Sequence, residues 1–309
     1  MHSSSHALVE LGCVLRDDGY NFITVTPETH RRVNANAERR GYKLARTAQA
    51  ARDVFGWSRP FDATLLPGAW VELLEAADAL DREGDLLRSR VRFSTLGGGL
   101  YVHSAFPTAE TDAVFFGPDT YRFCSLLQRW MPAGGRAVDV GCGSGAGGIA
   151  IASKVQACVL ADINPRALEL ARVNAELNGV VAEVVASDVL DGVAGQIDVV
   201  IANPPYMRDD SGRVYRDGGG THGQALATRI VHDALRRLGR GGTLIVYTGA
   251  AIVDGEDTFL RAVTPLLRPS DVHFVYEELD PDVFGEELER PAYAEVERIA
   301  AVGLRVEVR

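Results

Sequence analysis

The sequence predicts a doubly wound α/β protein. A mostly parallel seven-stranded sheet with an antiparallel edge strand follows a smaller, mainly helical N-terminal domain that ends in a β-hairpin. Three observations predict it. From residue 136 onward, apolar strand-like runs alternate with helical ones, the pattern of parallel strands joined by helical crossovers. The first of those strands runs into a glycine-rich turn that opens a helix, Gly141-Cys142-Gly143-Ser144-Gly145. The residues before it lack that rhythm, and 309 residues are comfortable for two domains. The expected division is 1–110 and 111–309.

In the first part, helical spacing covers 29–54 and 68–80, separated by the breaker cluster Gly56-Trp57-Ser58-Arg59-Pro60. Two β-rich stretches, 86–95 and 100–106, flank Gly97-Gly98-Gly99 and predict a hairpin. Helices followed by a hairpin suggest a winged-helix-like unit. Arg31, Arg32, Arg39, Arg40, Lys43, Arg46 and Arg52 share one helical region with only Glu38 against them. Such a run is either a grip for nucleic acid or an acidic protein, or a solvated helix face, and solvation is the commoner use.

In the second part the predicted strands are 136–140, 157–163, 182–186, 197–202, 243–248, 272–277 and 299–308. Helices fall at 146–153, 165–178 (with Pro165 in its first turn), 226–238 and 254–267. The two closing strands are joined by an acidic loop without a helical pattern, which points to an antiparallel pairing at the sheet edge. Ligands of such sheets sit beyond the carboxyl ends of the strands, where strand order reverses. The motifs lie there.

Composition bounds the function. Hydrophobic residues make up 46% and charged residues 24%, ordinary globular usage that excludes disordered and fibrous classes. The chain has 32 Lys and Arg against 42 Asp and Glu, a net charge of −10, the wrong sign for a generic polyanion binder. The acidity is concentrated after residue 116, where 19 basic side chains face 27 acidic ones, against 13 and 15 before it. No apolar run approaches the ~18 residues of a membrane span. Met1-His2-Ser3-Ser4-Ser5-His6 carries no secretory pattern, so a cytoplasmic location is expected. Cys13, Cys124, Cys142 and Cys158 are scattered, with no ligand spacing for a metal, and are expected as reduced thiols.

The segment Gly143-x-Gly145-x-x-Gly148, with Asp162 ending the next strand, formally satisfies the dinucleotide fingerprint. Two details pull away from it: the glycines begin earlier, at Gly141, and an acid, Asp139, lies inside the preceding strand. Together these resemble motif I of class I S-adenosylmethionine-dependent methyltransferases. The resemblance implies a Rossmann-like methyltransferase sheet with S-adenosyl-L-methionine as cofactor. Gly141, Gly143 and Gly145 would pass beneath its methionine part, Asp162 would receive the ribose hydroxyls, and Asp188 would lie near the adenine. Asp139, Cys142, Ile163 and Ser187 fall beside them and are counted to the cofactor site. A carboxylate suits vicinal hydroxyls because it accepts two hydrogen bonds at once; the bland alternative for Asp162 is a helix N-cap.

Asn203-Pro204-Pro205-Tyr206 ends the strand 197–202. Two prolines stop a central ladder and stiffen the backbone, fixing where the Pro204 carbonyl points. A carboxamide or ring-amine nitrogen is a poor nucleophile because its lone pair is delocalised. An Asn side-chain oxygen and a backbone carbonyl, each accepting one N–H, favour tetrahedral character and aim the lone pair at a methyl group, so catalysis comes from positioning and fixed dipoles. Asn203 and Pro204 carry that role, Asn203 also bordering the cofactor. Pro205 and Tyr206 border the substrate, with Tyr206 stacking on it. No general base or metal is demanded, because the nitrogen proton becomes acidic once the methyl is attached.

Enzymes with this tetrapeptide include nucleic-acid exocyclic-amine methyltransferases and the HemK-type glutamine methyltransferases, which modify peptide-chain release factors. The likeness to the HemK-type, small-methyltransferase-domain family extends over roughly residues 112–250. It includes the loop Asp217-Gly218-Gly219-Gly220-Thr221-His222-Gly223 and the segment Phe116-Gly117-Pro118-Asp119-Thr120-Tyr121. That resemblance implies that Phe116, Asp119 and Tyr121 line the pocket, although Asp119 could simply cap a helix. His222 is expected to touch substrate as a loop residue. The family's acid after the fifth strand is replaced by Tyr247-Thr248-Gly249, and the chain adds an acidic loop over 277–289.

The expectation is N-methylation of a planar amide or amine on a protein or small molecule. The alternative is a nucleic-acid amine, disfavoured by net charge but kept open by Arg208, Arg213 and Arg216. A non-catalytic scaffold would have been signalled by an altered Asn203.

Overall fold

The computed structural model describes residues 4–39, 47–108, 110–208, 215–269 and 271–309. The chain opens with α1 (Ser4–Asp17), α2 (Pro27–Arg39), α3 (Ala51–Phe55) and α4 (Gly68–Ala76). Two hairpins follow, β1 (Leu80–Glu83) with β2 (Leu86–Ser89) and β3 (Val91–Leu96) with β4 (Gly99–Ser104). The single helix expected over 29–54 is not continuous: residues 47–50 are bends, with Ala50 extended, and 40–46 lie outside the described residues. The helix expected over 68–80 ends at Ala76, and Leu80 already belongs to β1. Of the expected cationic run, Arg31 and Arg32 both donate to Glu28, Arg52 lies over the Phe22 ring at 5.7 Å, and Arg40, Lys43 and Arg46 fall outside the described residues.

After α5 (Pro118–Trp130) the alternation proceeds through β5 (Arg136–Val140), α6 (Ala146–Ile151), β6 (Ala157–Asp162), α7 (Pro165–Leu177), β7 (Glu183–Ala186), β8 (Ile197–Ala202) and α8 (Ala225–Arg237). It closes with β9 (Leu238–Val253), β10 (Glu256–Asp257), α9 (Thr258–Val263), β11 (Val272–Asp280) and β12 (Arg298–Val308). The sheet order is β11-β12-β9-β8-β5-β6-β7, with short β10 folded back on β9. β5 to β9 run parallel. The antiparallel pairing falls at the edge: β12 reverses against β9, and outermost β11 reverses against β12.

Both faces of the central strands are covered, which is why β5, β6, β8 and the middle of β9 are mostly apolar. Val138, Val200, Leu244 and Val246 meet α8 and α9 on one side. Ala137, Val199, Ile201 and Ile245 meet Phe123, Leu126 and Leu127 of α5 on the other. At 25 cal/mol per Å², each fully buried Leu, Ile, Val or Phe stabilises the fold by roughly 1.5–3 kcal/mol relative to exposure.

The N-terminal segment packs its core on α7: Leu11, Leu15, Phe55 and Phe93 join Leu170, Val173 and Leu177. The hairpin β3–β4 is not a free wing. Asn174 and Asn178 of α7 pair with the edge of β4 as a strand would. The Asn174 carboxamide bonds the Val102 N–H at 2.7 Å and its carbonyl at 2.9 Å, and Asn178 does the same for Leu100 at 3.1 and 2.9 Å. The spacing fits because four helical residues rise ~6 Å and two strand residues ~6.8 Å. Asn174 also donates to the Ser144 carbonyl at 2.8 Å, tying the hairpin to the glycine turn after β5.

Candidate active site

β5 has β6 on one side and β8 on the other, so the loops leaving β5 and β8 diverge and open a crevice beyond their carboxyl ends. A cavity of about 600 Å³ occupies it, within the usual range for small-molecule sites. Its floor is the turn after β5. Gly141 and Gly143 have φ of +65° and +53°, and a Cβ on either would meet nothing within 4 Å. Glycine is needed there for the left-handed backbone, and the space above is open to a ligand. Gly145 instead caps α6 and faces Leu160, Ala171 and Ile149; it is not on the cavity wall, and its need for glycine is internal.

Asp162, ending β6, lines the cavity while holding the backbone: Oδ2 accepts the Gly143 N–H at 2.9 Å and Oδ1 the Asn164 N–H at 2.8 Å. The cap of α7 is Asn164, not Asp162. Each Asp162 oxygen keeps a lone pair for a ligand hydroxyl, and burial raises the carboxyl above its ordinary range. Beside it Ile163, an apolar side chain 61% exposed, stands open on the wall. Asp139 lies beneath, 2% exposed. Burial pushes its carboxyl up to about 7, against the Gly148 N–H that donates to Oδ2 at 2.7 Å. Cys142 also lines the floor, its thiol raised by burial. Ser187 lines the cavity but commits its hydroxyl to its own loop, donating to the Val189 carbonyl and accepting from Gly192. Asp188 is on the wall with its carboxylate held by Arg229 at 2.9–3.0 Å.

The opposite wall is Asn203, Pro204, Pro205 and Tyr206. Asn203 is half-buried, and its carboxamide makes no hydrogen bond to protein among the described residues. Tyr206 is buried, and its hydroxyl donates to Asp119 Oδ2 at 2.5 Å. Asp119 lines the cavity without capping α5, whose N-cap is Gly117. Burial raises the Asp119 carboxyl, and burial beside that carboxylate holds the Tyr206 hydroxyl protonated.

Three residues expected at the substrate lie elsewhere. Phe116 is fully buried and stacks on His103 at 5.0 Å. Tyr121 faces the N-terminal segment, its hydroxyl accepting the Thr24 N–H at 3.1 Å. His222 turns from the cavity to Glu295, 2.9 Å away. In their place the wall has Phe106, Phe115, Tyr215 and Phe284. Phe115 and Tyr215 stack at 5.9 Å and 9°. Phe284 comes from the segment between β11 and β12 and meets Tyr206 edge-on at 6.2 Å. That segment is clamped over the site: Glu287, despite burial, is brought below its ordinary range by Arg216 and Arg290, and the Tyr293 hydroxyl accepts the Arg208 N–H at 2.8 Å. Among the described residues, no group of three His, Cys, Asp or Glu could hold a metal ion, and no helix is long and apolar enough to cross a membrane.

Comparisons with known proteins find methyltransferases. A protein from Methanocaldococcus jannaschii, provisionally assigned as a protein N5-glutamine methyltransferase, is 32% identical over 136 residues, covering 42% of this chain and 68% of that one. Ribosomal RNA small subunit methyltransferase C of Citrobacter koseri is 38% identical over 119 residues, 38% of this chain and 32% of that one. The chain thus spans about a third of its ribosomal RNA methyltransferase relatives. In fold, it resembles Methanocaldococcus jannaschii Trm5 in complex with adenosine, with a TM-score of 0.50 at 18% identity over 71% of this chain and 56% of the other. Fold, site and relatives together define the class: an S-adenosylmethionine-dependent N-methyltransferase. Within that class, the chain belongs to the methyltransferase small domain family, whose model matches residues 120–252.

A glycine floor open to a ligand, an acid with free lone pairs at a strand end and an exposed apolar side chain beside it are what the tail, ribose and base of S-adenosylmethionine require. The residues present fit that cofactor.

Proposed function

We propose that the enzyme methylates a planar nitrogen, amide or amine, of a protein or small-molecule acceptor. The observation that carries this reading is the state of Asn203, a carboxamide on the cavity wall with no protein partner among the described residues, next to the Pro204 carbonyl. When bound, S-adenosylmethionine supplies an electrophilic methyl. Asn203 Oδ1 and the Pro204 carbonyl accept the two N–H bonds of the acceptor and turn its lone pair toward that methyl. Tyr206 offers its ring as one face for the acceptor. Asp162 receives the ribose, Ile163 and Asp188 border the adenine, and Gly141 to Gly143 admit the amino-acid tail. Pro27, Phe106, Pro107 and Thr108 give residues 1–110 a share of the acceptor side.

The relatives' names include both a protein and an RNA acceptor. Charge favours the non-nucleic reading, because cations beside the cavity are already paired: Arg216 with Glu287, Arg229 with Asp188, and Arg122 with Asp119 and Asp280. A phosphate backbone would have to displace carboxylates to reach them.

The test is transfer of radiolabelled methyl into fractionated extract from cells lacking the protein. Nuclease-resistant label in protein, or label in the small-molecule fraction, supports the reading; label removed by nuclease overturns it. Asn203→Ala should lower turnover by about a hundredfold or more while S-adenosylhomocysteine affinity stays within a few-fold. Retained turnover would remove Asn203 from the reaction.

A further inference from the structure

Asp119 sits at a junction of four elements. Its Oδ2 accepts the Tyr206 hydroxyl at 2.5 Å and its Oδ1 the Tyr247 hydroxyl at 2.6 Å, with Arg122 Nη1 at 3.2 Å. Arg122 in turn reaches Asp280 at the end of β11 at 2.8 Å. The carboxylate is only 5% exposed, so its bonds are not exchanged freely with water. Two residues after Tyr247 on β9, Gly249 makes room for the ring that Asp119 tethers: a Cβ there would lie 2.2 Å from Tyr206 Cδ2 and Cε2. Tyr206 is thus held at its hydroxyl by Asp119, at one face by β9 and at its edge by Phe284.

We propose that Asp119 is a positioning residue for methyl transfer: by accepting two tyrosine hydroxyls on separate oxygens, it fixes the Tyr206 ring on the acceptor wall before the acceptor arrives. The inference rests on the acceptor site proposed above. A carboxylate is an acceptor only and satisfies both hydroxyls. A carboxamide at 119 has one accepting oxygen, so one tyrosine must turn its proton away, with no other acceptor supplied. The benefit lies in orientation, which governs rate more than cofactor affinity.

The experiment compares Asp119→Asn, Tyr247→Phe and Tyr206→Phe with the parent enzyme. Readouts are the initial rate of labelled methyl transfer at saturating S-adenosylmethionine and S-adenosylhomocysteine affinity by calorimetry. Asp119→Asn and Tyr206→Phe should each lower the rate by about tenfold or more, from the worth of a hydrogen bond to a charged group, and Tyr247→Phe by only about threefold, because its hydroxyl reaches the ring through the carboxylate alone. Cofactor affinity should hold within a few-fold. The double variant Asp119→Asn/Tyr206→Phe should be no slower than the worse single one, because both remove one tether. A parental rate in Asp119→Asn, or losses that multiply in the double variant, would overturn the proposal.

Independently of any acceptor, the slowly exchanging phenolic hydroxyls seen by proton NMR should include two assigned to the tether, one lost in Tyr206→Phe and the other in Tyr247→Phe. Their persistence in those variants, or their absence from the parent, would also refute the tether. An inert Asn203→Ala beside a fully active Asp119→Asn overturns this inference alone, whereas an active Asn203→Ala overturns the site itself.

Discussion

Replacing Asp139 by Asn should make the protein more stable in alkaline solution and much less so in acid. In the native chain the carboxyl is 2% exposed and burial raises it from 3.8 to about 7. Between those values the folded protein keeps a proton that the unfolded chain has released, so stability falls as pH rises through the window and levels off above about 7. From about pH 5.5 to about pH 8.5 this one group costs about 2 kcal/mol, at 1.36 kcal/mol per pH unit up to its folded pKa. The Asn variant carries no such titration, yet its amide oxygen can still accept the Gly148 N–H, now 2.7 Å from Oδ2. With an unfolding entropy of ~2.1 cal/mol/K per residue, the gap in midpoint between variant and parent should widen by about 3 °C from the lower pH to the higher. Thermal unfolding followed by circular dichroism at the two pH values measures it. A gap of the same size at both would refute the buried, proton-retaining carboxyl.

Other predictions concern the walls of the cavity. Asp162→Ala removes the acceptor of the Gly143 N–H and should weaken S-adenosylhomocysteine binding by about tenfold or more; calorimetry showing unchanged affinity would end its assignment to the ribose. Gly249→Ala places a methyl 2.2 Å from the Tyr206 ring and should cut turnover by at least about tenfold with cofactor binding retained; a parental rate would mean that the ring has room to retreat. Phe284 has φ of +55°. Phe284→Gly and Phe284→Ala lose the same ring, so the Gly variant should be the more stable by about 1 kcal/mol in urea unfolding, from relief of left-handed strain alone. Equal midpoints would deny that strain.

The doubly wound sheet was legible because burial on both faces makes each strand a nearly unbroken apolar run, and the helices between them keep one apolar stripe. Harder to read were places where two signals competed. Gly239-Arg240-Gly241-Gly242 has the look of a loop, yet β9 begins before it, at Leu238 paired with Ile197 of β8, and runs past Thr248 to Val253 on its long pairing with β12. Asp254-Gly255, a hairpin signal, stood at the expected start of a helix; the chain turns back there as β10, and Asp257 is the true cap of α9, accepting the Leu260 N–H at 2.8 Å. Ala7, Leu8, Leu11 and Leu15 carry the period of α1, a helix absent from the expected elements. Within the site, the glycine turn, Asp162 and Asn203 could be found because each belongs to a local motif. The tether from Asp119 to Tyr206 and Tyr247, and the arrival of Phe284, could not, since they join residues distant in sequence with no local pattern between them. His222 shows the converse: a glycine-rich loop suggested a ligand, and the side chain found Glu295 instead.

Asn174 has a further consequence. A single carboxamide grips Val102 of the N-terminal hairpin and the Ser144 carbonyl of the turn beneath the cavity, so the hairpin and the turn share one fastening. The Asn174 amide donates to the Val102 and Ser144 carbonyls together, so the hairpin and the turn fix its orientation from both sides. The two asparagines also close an edge that would otherwise invite another strand. In this chain, the side chains that prevent stray pairing are the ones that bind the N-terminal hairpin to α7.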